Sequence, residues 1–348
     1  MIRVAIIGAG IGAEHLSGYR AGSDFDVVVV CDLDKGRAEA MAGDIPVVTE
    51  FADALKMGVD VVDICLPPHL HFPFSMKALQ AGCHVICEKP LGCSLAQVDA
   101  LQNAAITANK HVFPVFQYRY GTGLAKLRAL ISRGLTGRAI AASAQTHWRR
   151  EADYYAIPWR GTWAGEQGGS IVGHAIHAHD VLCHLMGPVS RVSASLATLA
   201  NPIETEDTAA INWVTELGAL VTSSVTLGAA TDESRIKIMF QGLTAESGPD
   251  PYALGADGWT FTARAADQAK IDAVTAAVTQ QPVGFTGFLQ DVAACLNGQQ
   301  STAVTLTEGR ASIELITALY HADRTRSWVD LPLPKNTPMY DGWQPQED

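Results

Sequence analysis

Short, almost continuously apolar runs recur through the first 120 residues, and each is followed by a stretch long enough for a helix. Arg3–Ile7, Val27–Cys31, Pro46–Val48, Val59–Cys65, His84–Cys87 and His111–Val115 read as strands. A strand without a polar face is covered on both sides, which is the condition of a parallel sheet with helices packed above and below it. Pro73–Gly82 reads as one of those helices, with Phe74, Met76, Ala78 and Leu79 placed to face the sheet. The alternation predicts a doubly wound α/β domain.

After about residue 120 the pattern changes. A helix over Leu124–Arg133 leads into segments that alternate polar and apolar: Ala139–Gln145, Arg191–Ala197, Thr208–Thr215, Ala219–Thr226 and Ile236–Gln241. Period-2 alternation with one polar face predicts an open, largely antiparallel sheet. A last helix is expected near Glu308–Arg324, ahead of the tail Leu331-Pro332-Leu333-Pro334, whose prolines cannot continue it. The expected division is therefore a dinucleotide-type α/β domain over residues 1–120 and an α+β domain over 121–348, with the tail from about 331.

A length of 348 residues suits two such domains. With 25 Lys and Arg against 36 Asp and Glu, the net charge of −11 disfavours nucleic acid or anionic lipid as partner and leaves a small molecule. The seven cysteines have no paired C-x-x-C spacing and read as reduced thiols. Arg3 and the short run behind it lack the long apolar region of a signal peptide, so a cytoplasmic location is expected, with no membrane segment.

The first strand runs into Gly8-Ala9-Gly10-Ile11-Gly12-Ala13 and then into a helical stretch from about Ile11. This is the G-x-G-x-x-G/A fingerprint between a strand and a helix, as dinucleotide binding requires. Gly8 allows the tight turn, Gly10 lets a pyrophosphate approach the backbone, and the N–H groups around Ile11 and Gly12 complement its charge. Asp32 ends the second strand, twenty residues after Gly12. A carboxylate there accepts hydrogen bonds from an adenosine ribose and repels a 2′-phosphate, so NAD is expected rather than NADP. Lys35 and Arg37 lie close behind and are placed to meet such a phosphate, which weakens that preference.

The chain as a whole resembles the glucose–fructose oxidoreductase / inositol dehydrogenase / MocA family of NAD(P)-dependent oxidoreductases. The resemblance rests on Gly8–Ala13, on Leu66-Pro67-Pro68-His69-Leu70-His71, on Glu88-Lys89-Pro90, on Gln117-Tyr118-Arg119-Tyr120, on Gly168-Gly169 through His177-x-x-Asp180, and on Glu204-x-Glu206-Asp207. It implies cofactor contacts from Leu66, Pro67, His71, Glu88, Lys89 and Gln117, a cis bond before Pro90, and a homo-oligomer, dimer or tetramer. The residues agree at Lys89: a lysine at the carboxyl end of a strand stands on the edge where open α/β sheets bind ligands, and its ammonium can hydrogen-bond a hydroxyl being oxidised.

By the same resemblance His177 contacts the reacting hydroxyl and exchanges its proton, work that suits a group titrating near neutrality. Many relatives carry a carboxylate four residues earlier; here that position is Gly173, which leaves Lys89 and His177 as the expected catalytic pair. His174 is the nearest titratable neighbour but points about 100° away around a helix. His174, His177, His179, Asp180 and His184 also invite a metal reading, set below a role in lining a sugar pocket, so no metal is expected. Three of seven tryptophans fall between Trp148 and Trp163, among Arg149, Arg150, Tyr154, Tyr155 and Arg160. Aromatic faces pack on sugar C–H surfaces and arginines donate to hydroxyls, which makes Arg119, Tyr155, Arg160, Trp163 and His174 substrate candidates beside His177.

Together these features predict an NAD-dependent dehydrogenase acting on a secondary hydroxyl of a sugar, glycoside or cyclitol. A glycosidase that oxidises its sugar transiently with tightly held NAD, and a non-catalytic NAD and sugar sensor, are the alternatives.

Overall fold

The computed structural model of the chain describes residues 1–345. It divides into two compact units, one of Met1–Phe116 with Phe285–Ile313, the other of Gln117–Gly284 with the chain from Glu314 onward.

In the first unit, strands β1 (Ile2–Ile7), β2 (Phe25–Cys31), β3 (Val47–Val48), β4 (Val61–Ile64), β5 (His84–Cys87) and β6 (Val112–Pro114) form one sheet in the order β3-β2-β1-β4-β5-β6. All the pairings are parallel. Val4, Ala5, Ile6, Val29, Val30, Val61, Val62, Val85 and Ile86 are fully buried, as the unbroken apolar runs require. Helices α1 (Gly12–Arg20), α2 (Lys35–Ala42), α3 (Phe51–Leu55), α4 (Pro68–Gln80) and α5 (Leu95–Ala108) connect the strands. Asp34 and Ser94 cap α2 and α5 by accepting from the N–H of Arg37 and Gln97.

One expected boundary shifts: the helix predicted over Pro73–Gly82 begins five residues earlier, at Pro68. Proline suits a helix's first position, where its missing N–H is no loss, and Pro73 is accommodated inside while Ser75, Ala78 and Leu79 are buried.

In the second unit α6 (Thr122–Ser132) precedes β7 (Ala139–Arg149), and a short α7 (Ala152–Tyr155) and α8 (Ile176–Met186) follow before β8 (Val189–Ala197). Strands β9 (Thr208–Thr215), β10 (Leu220–Thr226), β11 (Gly228–Phe240), β12 (Leu243–Glu246), β13 (Thr260–Ala263) and β14 (Val329–Asp330) complete an eight-stranded sheet in the order β13-β12-β11-β7-β10-β9-β8-β14. Only β7 with β10 is parallel. Burial alternates along β9 and β10, as the sequence pattern predicts. Helix α8 covers the inner face, where His179 Nε2 lies 2.9 Å from Ser223 Oγ of β10 and the imidazole meets Trp213 of β9 edge-on.

Helices α9 (Gln268–Ala276), α10 (Gly284–Leu296) and α11 (Leu306–Thr325) complete the described elements. The sequence reading assigned everything after residue 121 to the second domain, whereas Phe285–Ile313 belongs to the first unit. A Cβ on Gly18 of α1 would approach Leu289 and Phe285 of α10 to 3.1 Å, so this close packing depends on a glycine far away in the chain. All seven cysteines are free thiols, and among the described residues no helix is long and apolar enough to cross a membrane.

Candidate active site

The glycine loop at the end of β1 is built as its spacing predicts. Gly8 has φ +105°, its N–H donates to the Cys31 carbonyl at 2.8 Å, and a Cβ there would lie 2.4 Å from the Cys65 carbonyl oxygen. A side chain is excluded twice, by conformation and by space. A Cβ on Gly12 would lie 3.0 Å from Ile6 Cγ2, so the close approach of helix and strand leaves little room for a side chain there. At Gly10 a Cβ would meet nothing within 4 Å, so the backbone there faces open space that a pyrophosphate could approach. Ile11 and Gly12 open α1, where first-turn N–H groups have no helical carbonyl to bond. The loop therefore fits a dinucleotide pyrophosphate.

Asp32 follows β2, buried to 8% exposure. Its Oδ2 accepts from Ala9 N–H at 2.7 Å and its Oδ1 from Asp34 N–H at 2.8 Å, while Arg37 Nη2 lies 2.8 and 3.1 Å from the two oxygens. Burial opposes ionisation here, but Arg37 and the two backbone donors outweigh it and hold the carboxyl below its ordinary range. Arg37, read from sequence as a group for a 2′-phosphate, is thus engaged with Asp32 itself. Its side chain is 55% exposed and can leave.

At the end of β5, Glu88 N–H donates to Ile64 O at 3.0 Å and Lys89 N–H to Glu88 Oε2 at 3.1 Å. Lys89 is half-buried and precedes a cis Pro90, the isomer that the resemblance implies. His71 of α4 lies between two carbonyls, Nδ1 2.6 Å from Pro90 O and Nε2 2.7 Å from Leu66 O, which ties the segment after β4 to the one after β5. Burial lowers the His71 pKa, and the two carbonyls act against it. Pro67 occupies the position before the first residue of α4, without a capping hydrogen bond.

Beneath this loop Glu88 joins a polar network whose other members, His15, Asp63 and Tyr19, no sequence motif marks. His15 of α1, fully buried, donates from Nδ1 to Asp63 Oδ2 at 2.8 Å and from Nε2 to Glu88 Oε1 at 3.1 Å; Tyr19 donates to the same Asp63 oxygen at 2.9 Å. Burial pulls the imidazole's pKa down, yet Asp63 prevails and raises it well above 6.5. A ring that donates from both nitrogens is an imidazolium. Among the described residues His15, Asp63 and Cys65 bring ligand-type atoms within 4.8 Å of one another, and the hydrogen bonds at Asp63 account for that grouping.

In the second unit the histidine segment starts with a π-helical turn, Ile171–Ala175, that continues into α8. Glu206 holds its entry, accepting from Gly169 N–H at 3.1 Å, Ile171 N–H at 3.0 Å and Tyr320 OH at 2.7 Å. A Cβ on Gly169 would overlap the Glu206 backbone, so Gly168-Gly169 and the later acidic motif are parts of one joint. Burial pushes the Glu206 carboxyl up to about 7 against those donors. Glu204 accepts from Trp163 N–H, and Asp207 accepts from the N–H groups of Leu199, Ala200 and Asn201, so the whole acidic motif shapes backbone.

His177 is buried on α8, its ring stacked on Tyr118 at 4.2 Å between centroids. Tyr118 belongs to the 3-10 turn Gln117–Arg119, whose Gln117 keeps a buried Oε1 without a partner among the described residues. The other histidines diverge: His174 Nε2 lies 3.3 Å from Tyr154 OH, and His179 reaches Ser223. Asp180 is gripped at both oxygens by Arg119, at 2.7 and 2.6 Å, in a buried pair. Arg119, expected among substrate contacts, is thus ion-paired to α8, with its Nη1 3.3 Å from His184 Nδ1.

The aromatic stretch gathers around Tyr154. Arg160 lies over its ring at 3.8 Å and Arg150 at 5.0 Å, and burial, then the charge of Glu166, pushes its hydroxyl up to about 12. Tyr155 OH and Arg160 Nε are buried without a hydrogen-bond partner among the described residues. Trp163 packs on Tyr320 at 5.9 Å instead. Glu166, 5% exposed, was missed in the sequence although it stands two residues before Gly168.

Residues 2–116 match the family described as "Oxidoreductase family, NAD-binding Rossmann fold", and residues 124–245 match the "GFO/IDH/MocA C-terminal domain". The D-glucoside 3-dehydrogenase of Escherichia coli (strain K12) is 30% identical over 195 residues, which are 53% of this chain and 54% of that enzyme, so this match spans about half of the relative's length. Solved structures match further. The WlbA dehydrogenase from Bordetella pertussis, in complex with NADH and UDP-GlcNAcA, superposes with a TM-score of 0.84 at 29% identity, over 96% of this chain and 99% of the other. Its counterpart from Chromobacterium violaceum gives 0.84 at 30% identity, over 96% of each chain. With both domains matched and the glycine loop, Asp32, Lys89 and His177 in the positions described, the chain belongs to the Gfo/Idh/MocA family of NAD-binding oxidoreductases.

Proposed function

We propose that the chain is an NAD-dependent dehydrogenase that oxidises a secondary hydroxyl of a sugar, glycoside or cyclitol, with Lys89 and His177 handling the hydroxyl proton. The observation that carries this reading is the retention of a lysine just past β5, on the ligand-binding edge of the sheet, together with a buried, ring-stacked histidine on α8. NAD, when bound, supplies the hydride acceptor. The glycine loop and Asp32 would hold its pyrophosphate and ribose, with Leu66, Pro67, His71, Glu88 and Gln117 around it. Lys89 donates a hydrogen bond to the substrate oxygen and stabilises it as the proton leaves, and His177 receives that proton. Tyr155, Arg160 and His174 fit as substrate contacts. Arg119 and Trp163 act through α8 and the Tyr320 joint.

A screen of NADH production with methyl glucosides, levoglucosan, sugar acids and inositols tests the reading. Turnover on at least one is expected; release of an aglycone without net NADH would favour the glycosidase mechanism, and binding without turnover the sensor.

Asp32→Ala tests the coenzyme preference. The wild type is expected to favour NAD, and loss of the carboxylate to raise KM for NAD about tenfold or more, as for loss of a charge-assisted hydrogen bond. The same change frees Arg37 for a 2′-phosphate and should lower KM for NADP. A wild-type KM lower for NADP would overturn the assignment.

A homo-oligomer belongs to the same reading, since the sheet of the second unit leaves Leu220 of β10 61% exposed and Trp328, just before β14, 49% exposed. Light scattering at micromolar concentration should return a dimer or tetramer, and a monomer's mass would count against it.

A further inference from the structure

Gly173 and His177 are four residues apart, across the junction of the π-helical turn with α8. Four residues make about one turn of either helix, so both positions lie on one face. A Cβ built on Gly173 would have one neighbour within 4 Å, the Oε1 of Glu166 at 3.3 Å. The helix face below His177, bare of its own side chain, is therefore occupied by a carboxylate from the preceding loop. That carboxylate is fixed: Glu166 Oε2 accepts from Gly161 N–H at 2.5 Å, and Glu166 N–H donates to Thr162 O at 3.0 Å.

We propose that Glu166 is a positioning residue of this site, its buried carboxylate filling the space that Gly173 leaves on the His177 face and setting the orientation and basicity of that imidazole. The inference rests on the reading of His177 as the group that receives the hydroxyl proton. A carboxylate beside an imidazole favours the protonated ring and so strengthens it as a base.

Charged and titratable neighbours along this helix have partners of their own. Asp180, one turn beyond His177, is matched by Arg119; Tyr118 stacks on the imidazole; His174 pairs with Tyr154, over which Arg150 and Arg160 lie. Arg150 is itself paired with Asp232. Burial chiefly, and then the charge of Glu166, raises the pKa of Tyr154, the neighbour of His174.

Histidine NMR titration of the full-length protein without substrate tests this, with the His177 signal identified by its loss in His177→Asn. Glu166→Gln is expected to lower the His177 midpoint by about one pH unit. It should also reduce kcat about 100-fold on the best substrate of the screen, with KM for NAD unchanged. Adding Gly173→Asp, which returns a carboxylate to the same space from the helix, should recover at least about tenfold of that loss. If Glu166→Gln does not fold, Glu166→Asp, which withdraws the charge by one methylene, should lower the midpoint by a smaller amount. An unchanged His177 midpoint in whichever variant folds would overturn the proposal. A fully active His177→Asn would instead sink the underlying proton role, and that outcome is recognisable because the midpoint shift is measured without turnover.

Discussion

Lys89→Ala is expected to lower kcat about 1000-fold while leaving the Kd for NAD within about threefold. The expectation comes from where the lysine stands: immediately past the carboxyl end of β5, half-buried, its own N–H taken by Glu88 and its backbone continued through Pro90. The glycine loop and Asp32, which would carry most of the coenzyme's phosphate and ribose contacts, belong to other segments and are untouched by the change. The effect should therefore appear in turnover and little in binding, as for an interaction made mainly in the transition state. Stopped-flow NADH formation and calorimetric titration with NAD separate the two. A variant within tenfold of wild-type kcat would refute the role.

The second large effect concerns the fold. His15→Leu removes an imidazolium bridging Asp63 and Glu88 in a fully buried setting, and both carboxyl groups would be left without it. Breaking a buried pair by deleting one partner costs about 3–5 kcal/mol, so urea unfolding should show a loss of that order. The pH dependence has a definite sign. The folded state raises the proton affinity of His15 above the ordinary 6.5, so its stabilisation is complete below pH 6.5 and is lost as pH rises through the higher folded value. Wild-type stability should fall with pH in that window by up to about 1.4 kcal/mol per pH unit, and His15→Leu should lack this component of the slope. A variant as stable as wild type would show that Asp63 and Glu88 do not depend on His15. Because Glu88 also accepts from the Lys89 N–H, the same network underlies the loop that bears the lysine.

The extent to which the site was legible follows the range of its interactions. The glycine loop, Asp32, the first sheet and five strands of the second are read from local patterns, since an apolar run, a period-2 alternation or a G-x-G-x-x-G spacing is set by the segment's own geometry; the short strands β12, β13 and β14 carry too few residues to show one. Lys89 and His177 stood out through motif and resemblance. His15 and Asp63 did not, and neither did their link to Glu88, because the three come from separate elements and become partners only when β4 and β5 align beside α1. Glu166 escaped for a related reason: its relation to Gly173 depends on a loop folding back, and its sequence neighbourhood reads as an ordinary turn. The return of Phe285–Ile313 to the first unit was equally invisible, since the glycine that receives Phe285 and Leu289 is Gly18. At Arg119 the sequence could not show the buried pair with Asp180, because that partner lies 61 residues away on α8.

The central claim is that this chain oxidises a sugar-type hydroxyl by direct hydride transfer to NAD. Its most direct test is a reaction with the best substrate of the screen, deuterated at the carbon that is oxidised, followed by mass spectrometry of the reduced coenzyme. The account predicts one deuterium at nicotinamide C4 in stoichiometric NADH. Label lost to water, or product released with no net NADH, would contradict it.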